Sequence, residues 1–147
     1  MYKYMLLLHV LAATVWTGGH LILSITILPR ALKKKSPSDL LIFETGYERI
    51  GIPALIIQAV TGIWLAYNLM PDVSMWFGFG NPVSQLIFFK LILLLLTFLF
   101  AIDARLRIIP NLTEQNMMSL VYHIIPVTVI AVLFVIVGVS FRTGLLF

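Results

Sequence analysis

Cysteine is absent from the chain, and charged residues fill only 11% of its 147 positions. The first absence excludes a disulfide framework, a thiolate metal site and a thiol nucleophile. The second is at odds with a soluble domain, where roughly a quarter of residues carry charge. What is there is apolar: 61% of residues are hydrophobic and the mean hydropathy is +1.04. A membrane span takes about 20 mostly apolar residues. Four such runs with short connections account for the sequence and leave no length for a separate soluble domain. Lys and Arg outnumber Asp and Glu by 10 to 6, but most stand in short loops between apolar runs, where they set topology and do not indicate nucleic-acid binding.

The pattern predicts an all-α protein, a four-helix integral membrane bundle forming one transmembrane domain over residues 1–147, with spans at about 4–29, 50–70, 83–102 and 120–141. The first run is too long for a signal-peptide core and has only Lys3 before it, so it reads as a retained span. Pro53 falls in the first turn of span two, and Asn81-Pro82 opens span three, both tolerated at a helix start. Pro126 should kink or loosen the early turns of span four. Between spans one and two, Ser36-Pro37-Ser38-Asp39 resembles a capping box. Leu40, Phe43 and Tyr47 then share a face, which predicts a short amphipathic helix on the membrane surface. Trp76-Phe77-Gly78-Phe79-Gly80 reads as a flexible interfacial loop.

Basic residues set the orientation. Arg30, Lys33, Lys34, Lys35 and Arg49 lie in one connection and Arg105 and Arg107 in another, against Lys3 and Arg142 at the termini. The positive-inside rule puts both termini outside, in a bacterial-type inner membrane, and both basic loops in the cytoplasm. Asn111-Leu112-Thr113 matches a glycosylation pattern but then faces the cytoplasm.

Topology converts position into depth at about 1.5 Å per residue. His9 comes roughly 6–8 Å below the outer surface and Lys90 roughly 10 Å. His20 and His123 come to similar depth on different helices, roughly 22–25 Å below it. Intramembrane histidines are costly and usually functional, and neutral imidazole is the commonest metal ligand. His9, His20 and His123 are therefore the candidate metal ligands. His20 and His123 have the level match that a bis-histidine heme requires. The alternative for both is a hydrogen bond to a backbone carbonyl or a Ser/Thr hydroxyl. His9, Ala13, Trp16 and His20 share one face of span one, but a rise of roughly 16 Å keeps His9 and His20 from sharing one iron. Arg49 and Arg105 stand at cytoplasmic span ends as candidate cofactor-binding residues. They can pair with heme propionates or, the favoured reading, with Glu48 and Asp103. Trp16 reads as packing.

The segment Leu8-His9-Val10-Leu11-Ala12-Ala13-Thr14-Val15-Trp16-Thr17-Gly18-Gly19 resembles the opening helix of the CopD-like copper resistance membrane proteins. Thr61-Gly62-Ile63-Trp64-Leu65 and Phe89-Lys90-Leu91 are similar to later helices there. Nearly the same pattern occurs in the related HemJ-type protoporphyrinogen oxidases, which Ile124-Ile125-Pro126-Val127 also resembles. That resemblance implies bound heme b and a functional histidine–lysine pair, here His9 and Lys90 in catalytic roles. Leu28-Pro29-Arg30 stands further from Trp16 than in HemJ-type chains, and His20 and His123 fall outside their pattern. The expectation is a heme b-binding redox or electron-transfer membrane protein. The alternatives are copper handling through the three histidines, oxidation of a porphyrinogen, or a structural subunit of a respiratory complex. The expected partners are the lipid bilayer and a redox partner or porphyrin, and the smooth surface of spans three and four would allow a homo-oligomer. The orientation predicts that a membrane-impermeant amine reagent leaves Lys33, Lys34 and Lys35 unlabelled in intact cells; labelling there would reverse the topology.

Overall fold

The computed structural model describes residues 1–146. Four helices run through it: α1 (Tyr2–Lys34), α2 (Pro37–Leu69), α3 (Pro82–Asn111) and α4 (Met117–Thr143), each long and apolar enough to cross a membrane. There is no strand among the described residues. The protein is thus an all-helical, multi-pass membrane protein.

The helices are longer than the apolar runs because polar but helix-compatible flanks extend them. Lys35 ends α1 in the left-handed conformation (φ 52°), with its N–H donating to the Leu32 carbonyl. Ser36 is extended and Pro37 starts the next helix. Ser36 does not cap that helix as the capping-box pattern implied; its Oγ lies 2.8 Å from Ser38 Oγ. The amphipathic segment is helical, but nothing between Tyr47 and Ile50 breaks it, so it continues into span two as one 33-residue helix. Its apolar face packs on protein. Leu40 is buried in a cluster with Leu23, Leu28, Ala31, Met117, Leu120 and Ile124, and Phe43 packs against that cluster. Pro53 therefore stands well inside α2, not in its first turn, and Pro126 lies inside a continuous α4.

The loop between α2 and α3 is more ordered than its glycines suggested. Val73–Phe77 forms a 3₁₀ turn capped by Asp72, whose Oδ1 accepts from the Ser74 N–H at 3.0 Å. Trp76 is buried and donates its indole N–H to the Met70 carbonyl at 2.8 Å, while Phe77 and Phe79 remain exposed. Asn81 caps α3 through the Ser84 N–H, and the buried Ser84 hydroxyl donates to the Met75 and Gly78 carbonyls.

Helix α1 packs most extensively on α2, α3 packs on α4, and α1 also meets α4, whereas α2 and α3 scarcely touch. The α1–α4 seam is polar as well as apolar. Thr17 Oγ1 donates to the Ala131 carbonyl at 3.3 Å, and Thr128, whose hydroxyl donates to the Ile124 carbonyl of its own helix at 2.7 Å, brings its Oγ1 within 3.2 Å of the His20 carbonyl oxygen. Trp16, Leu55, Val127 and Ala131 form the buried cluster there.

The paired glycines of α1 differ in role. A Cβ on Gly19 would overlap the Tyr47 ring, and one on Gly51 would stand 2.8 Å from it, whereas one on Gly18 meets nothing. Tyr47 is thus seated between two glycines. Overpacking of this kind costs about 1–3 kcal/mol. Gly19→Ala is expected to lower the unfolding midpoint in detergent and Gly18→Ala to leave it unchanged; equal effects would remove the special role of Gly19.

Candidate functional site

Two cavities lie one above the other in the bundle. The first, about 670 Å³, is lined by His9, Gln58, Trp76, Lys90 and Arg142 among mostly apolar side chains. The second, about 390 Å³, is lined by Trp16, His20, Glu44, Tyr47, Glu48, Arg105 and His123. Sequence depth had paired His9 with Lys90 and His20 with His123, and each pair lines one cavity. Trp16 and Thr17, adjacent on α1, lie on the two sides of the division.

The histidine tautomers follow from their partners. Thr61 Oγ1 donates its proton to the Ile57 carbonyl at 2.6 Å. The same oxygen lies 2.9 Å from His9 Nδ1. With its only proton spent, the hydroxyl accepts, so His9 carries its proton on Nδ1 and leaves the Nε2 lone pair open. His20 Nδ1 lies 2.9 Å from the Trp16 carbonyl, which can only accept, so His20 holds the same tautomer. Its ring packs against Trp16 (centroids 4.3 Å apart) and edge-on to Tyr47 (5.5 Å), whose hydroxyl donates to the Trp16 carbonyl at 3.0 Å.

His123 is arranged differently. Its Nδ1 lies 2.8 Å from the Ser119 carbonyl and its Nε2 2.5 Å from Asp103 Oδ2, an oxygen that Arg107 also contacts at 2.7 Å. Both ring nitrogens face oxygen acceptors, so no lone pair is directed at a metal. Two-imidazole ligation by His20 and His123 does not fit this arrangement. Arg105 pairs with Glu48, the partner favoured for it over a propionate. Arg49 is exposed and lines neither cavity. Among the described residues, no three His, Cys, Asp or Glu side chains gather where they could hold a metal ion.

Lys90 turns toward the last turns of α4. Its Nζ lies 5.6 Å from the centroid of the Phe141 ring, and a Cβ on Gly138 would come within 3.4 Å of it. Gly62 plays the matching part for His9: a Cβ there would press on the imidazole at 3.0 Å.

Two polar groups were not singled out from the sequence. Gln58 is buried, and its Oε1 has no hydrogen-bond partner. A lone glutamine inside an apolar span is itself a signal of the kind that flags intramembrane polar residues. Trp16, read as packing, is indeed buried in a cluster, but its Nε1 also lacks a partner.

These features define a class: a four-helix membrane protein with histidines lining two cavities between its helices. Within that class, the chain belongs to the CopD family, copper resistance protein D, whose sequence profile matches residues 42–141. The match contains Arg49, Lys90, Arg105 and His123, while His9 and His20 precede it. No curated protein and no solved structure matches the chain significantly.

Replacing Thr61 with Val removes the acceptor that sets the His9 tautomer. Imidazole ¹⁵N spectra of the parent protein are expected to show His9 protonated on Nδ1, and those of Thr61→Val to show the proton shifted toward Nε2. Identical spectra would mean that Thr61 does not set the tautomer.

Proposed function

We propose that this CopD-family protein handles copper within the membrane, with His9 and His20 as the positions that take the ion. One observation carries the reading: both imidazoles are locked with Nδ1 as the donor, and the Nε2 of each is left without a protein partner at its cavity. A lone pair held ready in this way is what a metal ligand requires, since the bond made by the other nitrogen sets tautomer and ring orientation. Imidazole suits copper. A chain without thiolates binds the ion less firmly than a storage site would, which favours transfer. The positive-inside orientation, with both termini outside the inner membrane, puts His9 at the outer level and His20 at the inner one.

The purified protein is expected to retain copper through detergent exchange. His9→Ala and His20→Ala should each reduce the metal content, and the double variant should fall to background. His123→Ala should retain the parent content, because Asp103 and Ser119 already hold that ring. A parent protein free of copper after loading would overturn the proposal.

A second reading has its own observation in its favour, the size and apolar lining of the outer cavity. Small-molecule sites span about 300–1,000 Å³, and this cavity presents one open imidazole with two cations and no acid at its wall. Heme b would fit there, with His9 as its protein ligand and Lys90 and Arg142 facing its propionates; when bound it would supply one-electron transfer. The expected sign is a visible spectrum whose reduced bands appear with dithionite and vanish in His9→Ala. A colourless preparation would rule it out.

A further inference from the structure

We infer that the outer cavity binds a single-chain anionic amphiphile from the lipid phase, its head at Lys90 and Arg142 and its chain along the apolar wall. The first ground is missing charge compensation. A lysine within a span is costly unless it pairs or reaches water; the Lys90 ammonium lies over the Phe141 ring, and neither Lys90 nor Arg142 has an acidic partner among the described residues. No Asp or Glu lines this cavity. The one acid in the outer loop, Asp72, is engaged by the Ser74 N–H and hydroxyl.

The second ground is independent of charge. Gln58 is 6% exposed, lines the same cavity, and has an Oε1 with no partner. Its Oε1 is closed off from the cavity by its neighbours, so the carboxamide can meet an anionic head only through its N–H donors. The third ground is space: Gly138 leaves room beside the ammonium that any side chain would fill. Lys90 and Arg142 are the two cations on an otherwise largely apolar lining, which suits a molecule with one charged end. The shared chemistry is an anionic head on a chain, and a carboxylate or a phosphate can supply it.

The test uses the full chain in an uncharged maltoside detergent, stripped of metal with a chelator, and titrated with the fluorescent fatty acid cis-parinarate. Displacement is then measured with palmitate, hexadecyl phosphate and hexadecanol. At least one of the two anions is expected to displace the probe about tenfold better than the alcohol, a difference of one order of magnitude in affinity. The better anion identifies the head group. Lys90→Met keeps the length and removes an unpaired charge, so it should fold and should lose the preference; Arg142→Gln should weaken it. Equal competition by hexadecanol, or unchanged selectivity in Lys90→Met, would overturn the inference. Because metal is absent throughout, the result is separate from copper binding: His9→Ala should keep the preference for an anionic head.

Discussion

Most hydroxyl groups and two of the three imidazoles within the spans turn back on their own helices, and much of the architecture depends on that constraint. In a hydrocarbon setting there is no water to satisfy a hydroxyl or an imidazole, so each must find a carbonyl nearby. Thr61, Thr97, Thr128 and Ser140 each donate to the carbonyl four residues earlier, and His20 and His123 each place Nδ1 against such a carbonyl. For a hydroxyl this ends the matter, apart from its lone pairs. For an imidazole it fixes which nitrogen is left over. Thr61 extends the principle by one step, because its donated proton forces it to accept from His9.

Helix pairing determines what those leftover nitrogens face. With α1 on α2 and α3 on α4, and little contact between α2 and α3, space remains inside the bundle. It is divided where Trp16 and Thr17 meet Val127 and Ala131. The two compartments differ in chemistry. The one beside His9 has unpaired cations and a glutamine in a mostly apolar wall, whereas the one beside His20 is lined by acids and bases, among them Arg105 paired with Glu48 and a His123 held by Asp103 just outside the lining.

Much of this was legible in the sequence. Four apolar runs and their basic connections specify four crossing helices, and the rise per residue sorts His9 with Lys90 and His20 with His123. Helix ends were less legible. Polar residues such as Glu44, Glu48 and Arg49 can continue a helix as readily as end one, so α2 begins well before its apolar run. The direction of each nitrogen was not legible at all. Level matching cannot reveal that His123 turns toward Asp103 on α3, since depth says nothing of rotation about a helix axis or of rotamer. Gln58 was overlooked because one amide among apolar neighbours disturbs no periodicity. The seating of Tyr47 between Gly19 and Gly51 depends on two helices meeting at one height, information that no local pattern carries.

The seam of Thr17, Thr128 and Ala131 separates two hollows that share the same walls. A wall that turns about such a line cannot approach its neighbour on both sides at once. Any rocking of α1 and α2 against α3 and α4 about that seam would therefore enlarge one hollow as it shrinks the other. His9 and His20 ride on the same side, so the surroundings of one would loosen as those of the other tighten.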